Sequence, residues 1–265
     1  MKNYLIFSIL FLSFSACNKS TDIAPKDELS IVSEGLTGDK VLIRLKPKVG
    51  THQKMMMQMA LTSDGNQEME MNLNMKMNLK VVDKEAEVFV YDLTYNSIQM
   101  DMNTMGMSFS FDSEATTQTG MGEMLKTQLE PILSKSWTMK IDEQGRLVEL
   151  ETGQQDNLPS MGDMGSISIP MPDKAVGVGD TWSAKREMDD MGTMLMNMTV
   201  EKITVEDVLI ATQGDMVDAS GKVLGTYSGH YTLDRHLGLT KNGVIQANMQ
   251  TAGQNIKMTV NFKSL

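Results

Sequence analysis

Methionine is the residue whose abundance asks for a chemical reason. The chain carries 27 methionines in 265 residues, while aromatics make up only 5%. A thioether is flexible and polarizable, so it suits two tasks: moulding to an irregular apolar partner, or ligating a soft ion such as Cu(I). Position separates the two. Met161, Met164, Met188 and Met191 stand in stretches rich in Gly, Pro and Asp, where a thioether has no core to fill. They are the candidates for a Cu(I) site. Met71, Met75, Met107 and Met196 stand in runs that alternate apolar with polar residues, and they are the candidates for lining a site for an apolar, lipid-like ligand. Most of the methionines belong to such alternating runs. Apolar packing and contact therefore lead, no cofactor is expected, and Cu(I) belongs to the alternative reading.

Other chemistry is hard to find. Ser228-Gly229 lacks the Gly two positions earlier that a nucleophile elbow needs. His52, His230 and His236 form no pair at metal-ligand spacing. The carboxylates alternate with apolar residues or sit in turn-like stretches, as solvated faces do, and the adjacent pair Asp189-Asp190 reads as a turn. An enzyme is not expected. Lys and Arg number 24 against 34 Asp and Glu, a net charge of −10, which excludes nucleic acid as the main partner.

The elements that must position the methionines follow a period of two. The clearest run is Met69, Met71, Leu73, Met75, Met77, Leu79 and Val81, separated by Glu70, Asn72, Asn74, Lys76, Asn78 and Lys80. Such a strand has one apolar and one solvated face. The same alternation marks Met55 to Leu61, Met105 to Phe111, Met194 to Val200 and Ile256 to Phe262. Turn residues lie between the runs, at Ser63–Asn66, Asp83–Glu85, Asp142–Gly145 and Asp218–Gly221. One segment departs: Met121, Met124, Leu125, Leu129, Ile132 and Leu133 recur at three and four, which predicts a helix over 121–134, bent or ended near Pro131. The fold class expected is mainly β (α+β): an antiparallel meander sheet, flat or curved into a half-barrel, with one or two helices packed on it. A Gly/Pro-rich linker or long loop at 152–174 divides an N-terminal β part (39–151) from a C-terminal one (175–265).

The N-terminus reads as a targeting segment. Lys2 precedes an apolar stretch from Tyr4 to Phe14, too short to span a bilayer, and Ser15-Ala16 places small residues before Cys17. This resembles a bacterial lipoprotein signal, with Phe14 where a stricter motif has Leu. The resemblance implies a signal peptide at 1–16, cleavage before Cys17, and acylation of that residue, the only cysteine in the chain. Several acyl chains hold a protein stably on a membrane. Asn18 is not the Asp that marks inner-membrane retention, so an outer-membrane lipoprotein is expected, facing the periplasm or the cell surface. Residues 17–38 would be the acylated Cys and a flexible tether.

Further along, Val41-Leu42-Ile43-Arg44-Leu45, Ser136-Trp137-Thr138-Met139-Lys140-Ile141 with Gly145-Arg146-Leu147, Pro172 to Trp182, and Gly229-His230-Tyr231-Thr232-Leu233-Asp234 stand in order. Together they resemble a bacterial envelope family, the domain of unknown function 6263, over most of residues 40–250. These motifs are structural, and the resemblance implies no activity. Val178-Gly179-Asp180-Thr181-Trp182 reads as a turn that drops Trp182 onto the core. The expectation is thus a non-enzymatic envelope lipoprotein that binds a lipid or an envelope protein through a Met-rich sheet face. The alternatives are a Met-rich Cu(I) protein and a purely structural envelope module.

Overall fold

A computed structural model describes residues 40–65, 68–117, 120–133, 135–151, 169–188, 192–251 and 253–265. The signal, tether and Cys17, most of the Gly/Pro linker, Asp189-Asp190, and Met161, Met164 and Met191 lie outside the described residues.

The alternating runs become strands in the expected order. β1 (His52–Asp64), β2 (Met69–Glu85), β3 (Val88–Thr104) and β4 (Met107–Asp112) precede the helix α1 (Met121–Leu133). β5 (Ser136–Asp142) and β6 (Leu147–Glu151) close the first part. β7 (Thr181–Met188), β8 (Gly192–Ile203), β9 (Asp207–Val217), β10 (Val223–Asp234), β11 (Thr240–Thr251) and β12 (Gln254–Ser264) form the second. All twelve lie in one antiparallel sheet, in the order β6-β5-β3-β2-β1-β12-β11-β10-β9-β8-β7, with β4 on β3 above β5. The two parts meet where β1 pairs with β12 over ten residues, Met55 opposite Ser264 through Asp64 opposite Asn255.

One face of this sheet carries the core. Buried side chains run from Phe89 on β3 through Met75 and Met57 to Val260, Ile210 and Met198. At about 4.8 Å per strand the flat sheet would span roughly 50 Å, and a 13-residue helix covers only about 20 Å of it. The face is therefore buried largely against itself, and the sheet is rolled. Glycines make the roll tight. Gly214, Gly225, Gly229 and Gly243 stand on the inner face of β9, β10 and β11, where an added Cβ would meet neighbouring atoms at 1.7 to 2.9 Å. Tyr227 stands opposite Gly214, and Tyr231 opposite Gly243, so two rings fill the space that the glycines leave.

Two local features differ from the expected alternation. In β3 the pairing slips between Lys76 opposite Ser97 and Met77 opposite Tyr95, which leaves Asn96 over. The inward set changes there from Phe89, Tyr91, Leu93 and Tyr95 to Ile98, Met100 and Met102. The run expected from Met105 begins only at Met107. Met105 and Gly106 form a two-residue hairpin turn with φ of 50° and 76°, the left-handed pair that matches strand twist. Asp83–Glu85, expected as a turn, still belong to β2, because Glu85 pairs with Val88.

The two ends of the rolled sheet are unlike. At one end lie the β2–β3, β5–β6, β8–β9 and β10–β11 turns, and two straps cross it. Val41 and Val176 exchange both backbone hydrogen bonds at 2.9 Å; Leu45 N–H reaches Glu143 O, Lys46 N–H reaches Leu237 O, and Met171 N–H reaches Gln144 O. Arg44 donates to Pro172 O at 2.6 Å and Trp182 Nε1 to Pro170 O at 2.8 Å. Ile43, Leu45, Ile169, Met171 and Val176 are thereby buried as a floor. α1 packs on β3 and β4 through Leu125 and Ile132, and Pro131 falls in its last turn.

Candidate functional site

The strand registers line up side chains in rows across the inner face, and the rows change composition with height. Nearest the floor stand Tyr91 with Val81 and Met139, then Leu93 with Leu79 and Trp137. A row higher in the core runs Ile98, Met75, Met57, Phe262, Gly243, Tyr231, Ile210 and Val200. The row below the mouth runs Phe109, Met102, Met71, Leu61, Met258, Ala247, Tyr227, Gly214 and Met196. The last row is Met107, Thr104, Met69, Ser63, Ile256, Met249, Gly225, Met216 and Met194. Methionine is thus concentrated at the end away from the straps. Burial falls in the same direction over part of the rim: Met55, Met57, Met75 and Met77 are at most 2% exposed and Met69, Met71, Met102, Met194, Met249 and Met258 are half-buried, although Met196, Met216 and Ser63 in the same rows stay buried.

The four sequence-derived lining candidates fall at three heights. Met75 is 1% exposed and belongs to the core. Met71 and Met196 stand in the same row below the mouth, the first half-buried and the second 6% exposed. Met107 is 54% exposed at the rim and packs less than its run suggested, because β4 pairs with β3 alone and, among the described residues, its other edge carries no strand. Of the loop methionines only Met188 is placed, as the last residue of β7. Met69, Met102, Met249 and Met258 were not singled out by sequence. They carry the same alternation as their neighbours, and only register shows that they share the mouth.

The polar chemistry of the mouth is sparse. Ser63 is buried there between Met69 and Ile256, with no hydrogen-bond partner for its hydroxyl. Burial pushes the Tyr231 phenol up to about 12 and raises Tyr91, Tyr95 and Tyr227, so every inner tyrosine stays neutral. Among the described residues, no group of three His, Cys, Asp or Glu could hold a metal ion. The outer face is polar. An open groove of about 880 Å³ crosses it, lined by Met56, Gln58, His230, Val244, Asn261 and Lys263 among others. His230 Nδ1 lies 3.0 Å from Glu201 beside this groove, and Lys241 binds Asp207 at 2.6 Å at its margin.

The unit from β3 to β6, with α1 folded over its upper part and the Gly145-Arg146 turn at its floor, carries the recognisable sequence. Residues 86–156 match a family of unknown function, DUF6263. The match is narrower than the 40–250 span expected. It contains Ser136–Ile141 and Gly145–Leu147, and leaves the motifs at 41–45, 172–182 and 229–234 outside. No curated protein is significantly similar to the chain. Among solved structures, lipovitellin, studied for its lipid–protein interactions, shares the fold with a TM-score of 0.55 at 9% identity, over 82% of this chain. The chain spans only a quarter of lipovitellin's length (25%). A DUF1329 family protein from Desulfovibrio piger gives a TM-score of 0.23 at 9% identity, covering 81% of this chain and 86% of its own. The COG4313 outer membrane channel from Pseudomonas putida gives 0.24 at 8% identity, covering 86% and 98%. Among the described residues no helix is long and apolar enough to cross a membrane.

Proposed function

We propose that the protein is a non-enzymatic envelope lipoprotein, anchored through an acylated Cys17, that holds an apolar, lipid-like ligand at the methionine-lined mouth of its rolled sheet. The observation that carries this reading is the joint gradient of composition and burial. Methionine stands at every height of the core, but its share of each row rises toward the mouth, and most of the half-buried thioethers stand there. Half-buried, flexible apolar side chains over a closed floor can move aside for an acyl chain at low cost. The shared fold with lipovitellin, a protein studied for its lipid interactions, adds support. The Ser15-Ala16-Cys17 signal supports the anchor, and Asn18, in place of the Asp that marks inner-membrane retention, supports an outer-membrane address.

The test uses the full chain and a fluorescent dansyl-labelled fatty acid as probe, displaced by oleate. Wild type should bind it saturably, and Met71→Gln with Met258→Gln should weaken binding about tenfold, a loss of ~1.4 kcal/mol. Absence of saturable binding, or a double variant that binds as wild type does, would remove this reading. Cys17→Ser should release the protein from the membrane fraction. Unchanged fractionation, with an unmodified Cys17 in wild type, would remove the anchor.

A further inference from the structure

One corner of the mouth, where β2, β3 and β4 meet, gathers five thioethers: Met69, Met71, Met102, Met105 and Met107. Met71 lies directly opposite Met102, and Thr104 lies opposite both Met69 and Met107. Met69 and Met107 therefore flank Thr104 on its two sides, each one diagonal step from Met102. Cβ atoms of directly opposed residues are about 5 Å apart and diagonal neighbours about 7 Å. Each Sδ lies two bonds beyond its Cβ, so the Met102 thioether can meet that of either neighbour, whereas Met69 and Met107, two strands and roughly 10 Å apart, close on one ion only by swinging in over Thr104.

Packing accounts for Met69, Met71 and Met102, which are half-buried on the inner face, but not for the other two. Met107 is 54% exposed and Met105 is 61% exposed. Met105 also takes φ 50° in a turn that ordinarily selects Asn, Asp or Gly, and a residue with a side chain there costs roughly 1–2 kcal/mol. A methionine at a strained, solvated position beside four others suggests a task for the sulfur.

We propose that Met69, Met102 and Met107 form a binding site for a soft monovalent metal ion, Cu(I) being the biological member of that class, with Met105 and Met71 beside it. Neutral thioethers favour Cu(I) and Ag(I) and offer little to Zn²⁺ or Ca²⁺. They also lose no proton on binding, so affinity is flat with pH where a His or Cys site would weaken in acid. The site goes beyond the apolar-ligand reading and is separable from it. Leu keeps the corner apolar, near Met in volume, and removes the sulfur.

The full chain is titrated with Ag(I), following the methionine methyl carbons by NMR, and with Cu(I) against bathocuproine disulfonate as competitor. One ion per chain should bind, with shifts at Met69, Met102 and Met107. Met107→Leu alone, at an exposed position that leaves folding intact, should weaken binding at least tenfold, and the triple Leu variant at least a hundredfold. Affinity at pH 5.5 and 7.5 should agree within about threefold, and the triple variant should keep the far-UV circular dichroism of wild type. The site is overturned if no binding survives the chelator, if the triple variant binds as wild type does, if the shifts fall on Met161, Met164, Met188 and Met191, or if affinity falls in acid.

Discussion

Neighbouring residues on one strand show how sharply the two faces differ. Met75 is 1% exposed on the inner face, whereas Asn74, on the outer face, accepts a hydrogen bond from Gln58 Nε2 at 3.0 Å. Met75→Asp buries a carboxylate with no partner and should cost about 3–5 kcal/mol. Asn74→Asp keeps the acceptor in water and should stay within about 0.5 kcal/mol. Urea denaturation of both variants checks this, and equal losses would mean that the faces are misassigned. Gly214 is a second single-atom test. A Cβ there would stand 1.7 Å from the Leu195 carbonyl oxygen and 3.1 Å from the Tyr227 hydroxyl. Gly214→Ala should therefore lower stability by about 1–3 kcal/mol, as overpacking does. A neutral result in the same denaturation assay would mean that the roll of the sheet does not depend on close strand approach at this point.

Strands and turns are where the sequence was most legible, and where its limits are physical. The period of two located β1, β2, β8 and β12, since alternation is a local property of a half-buried strand. The three-and-four spacing located α1, now at Met121–Leu133. The Asn96 bulge left no local mark, because both halves of β3 alternate correctly and only the partner reveals the slip. The Met105-Gly106 turn was hidden because Met105 continued the apolar pattern. The mouth was partly visible: Met71, Met107 and Met196 were singled out, but grouping them with Met69, Met249 and Met258 requires register. The β10–β11 turn offers an electrostatic test at this scale. Asp234 is partly buried, which raises its pKa, but the N–H groups of Leu237 and His236 and the Lys241 ammonium outweigh that and hold it below the usual carboxylate range. A depressed carboxylate stabilises the fold above its unfolded pKa of about 3.9, and that contribution is lost as pH falls through the lower folded value. Asp234→Asn should thus be less stable than wild type at pH 7, with the gap narrowing below about pH 4. Urea midpoints at pH 7 and pH 3 measure it, and a constant gap would contradict the assignment.

At the level of the molecule, the pairing of β1 with β12 makes two sequence halves one structure. Each half holds a single tryptophan, Trp137 on β5, next to one end of the strand order, and Trp182 on β7, at the other end. If the sheet unfolds as a unit, Trp137→Phe and Trp182→Phe variants should report coincident urea transitions by fluorescence. Separate midpoints would show two independently stable halves. The partition into 39–151 and 175–265 was legible as a Gly/Pro stretch. That the halves share a sheet was not, because pairing between strands some 200 residues apart has no local signature.

Synthesis runs from the first strand towards the last, and β12 follows every other described strand. Until it is made, β1 has β2 on one side and, on the other, ten residues whose partners do not yet exist. The centre of the finished sheet is therefore the last place to be built. During that interval a long, flat strand with Met55, Met57 and Met59 on one face is an open template for another copy of the chain. Contacts this distant in sequence also make folding slow. The same join that unites the mature molecule leaves the growing chain exposed to misassembly, and its yield should depend on what shields β1 before residue 254 emerges.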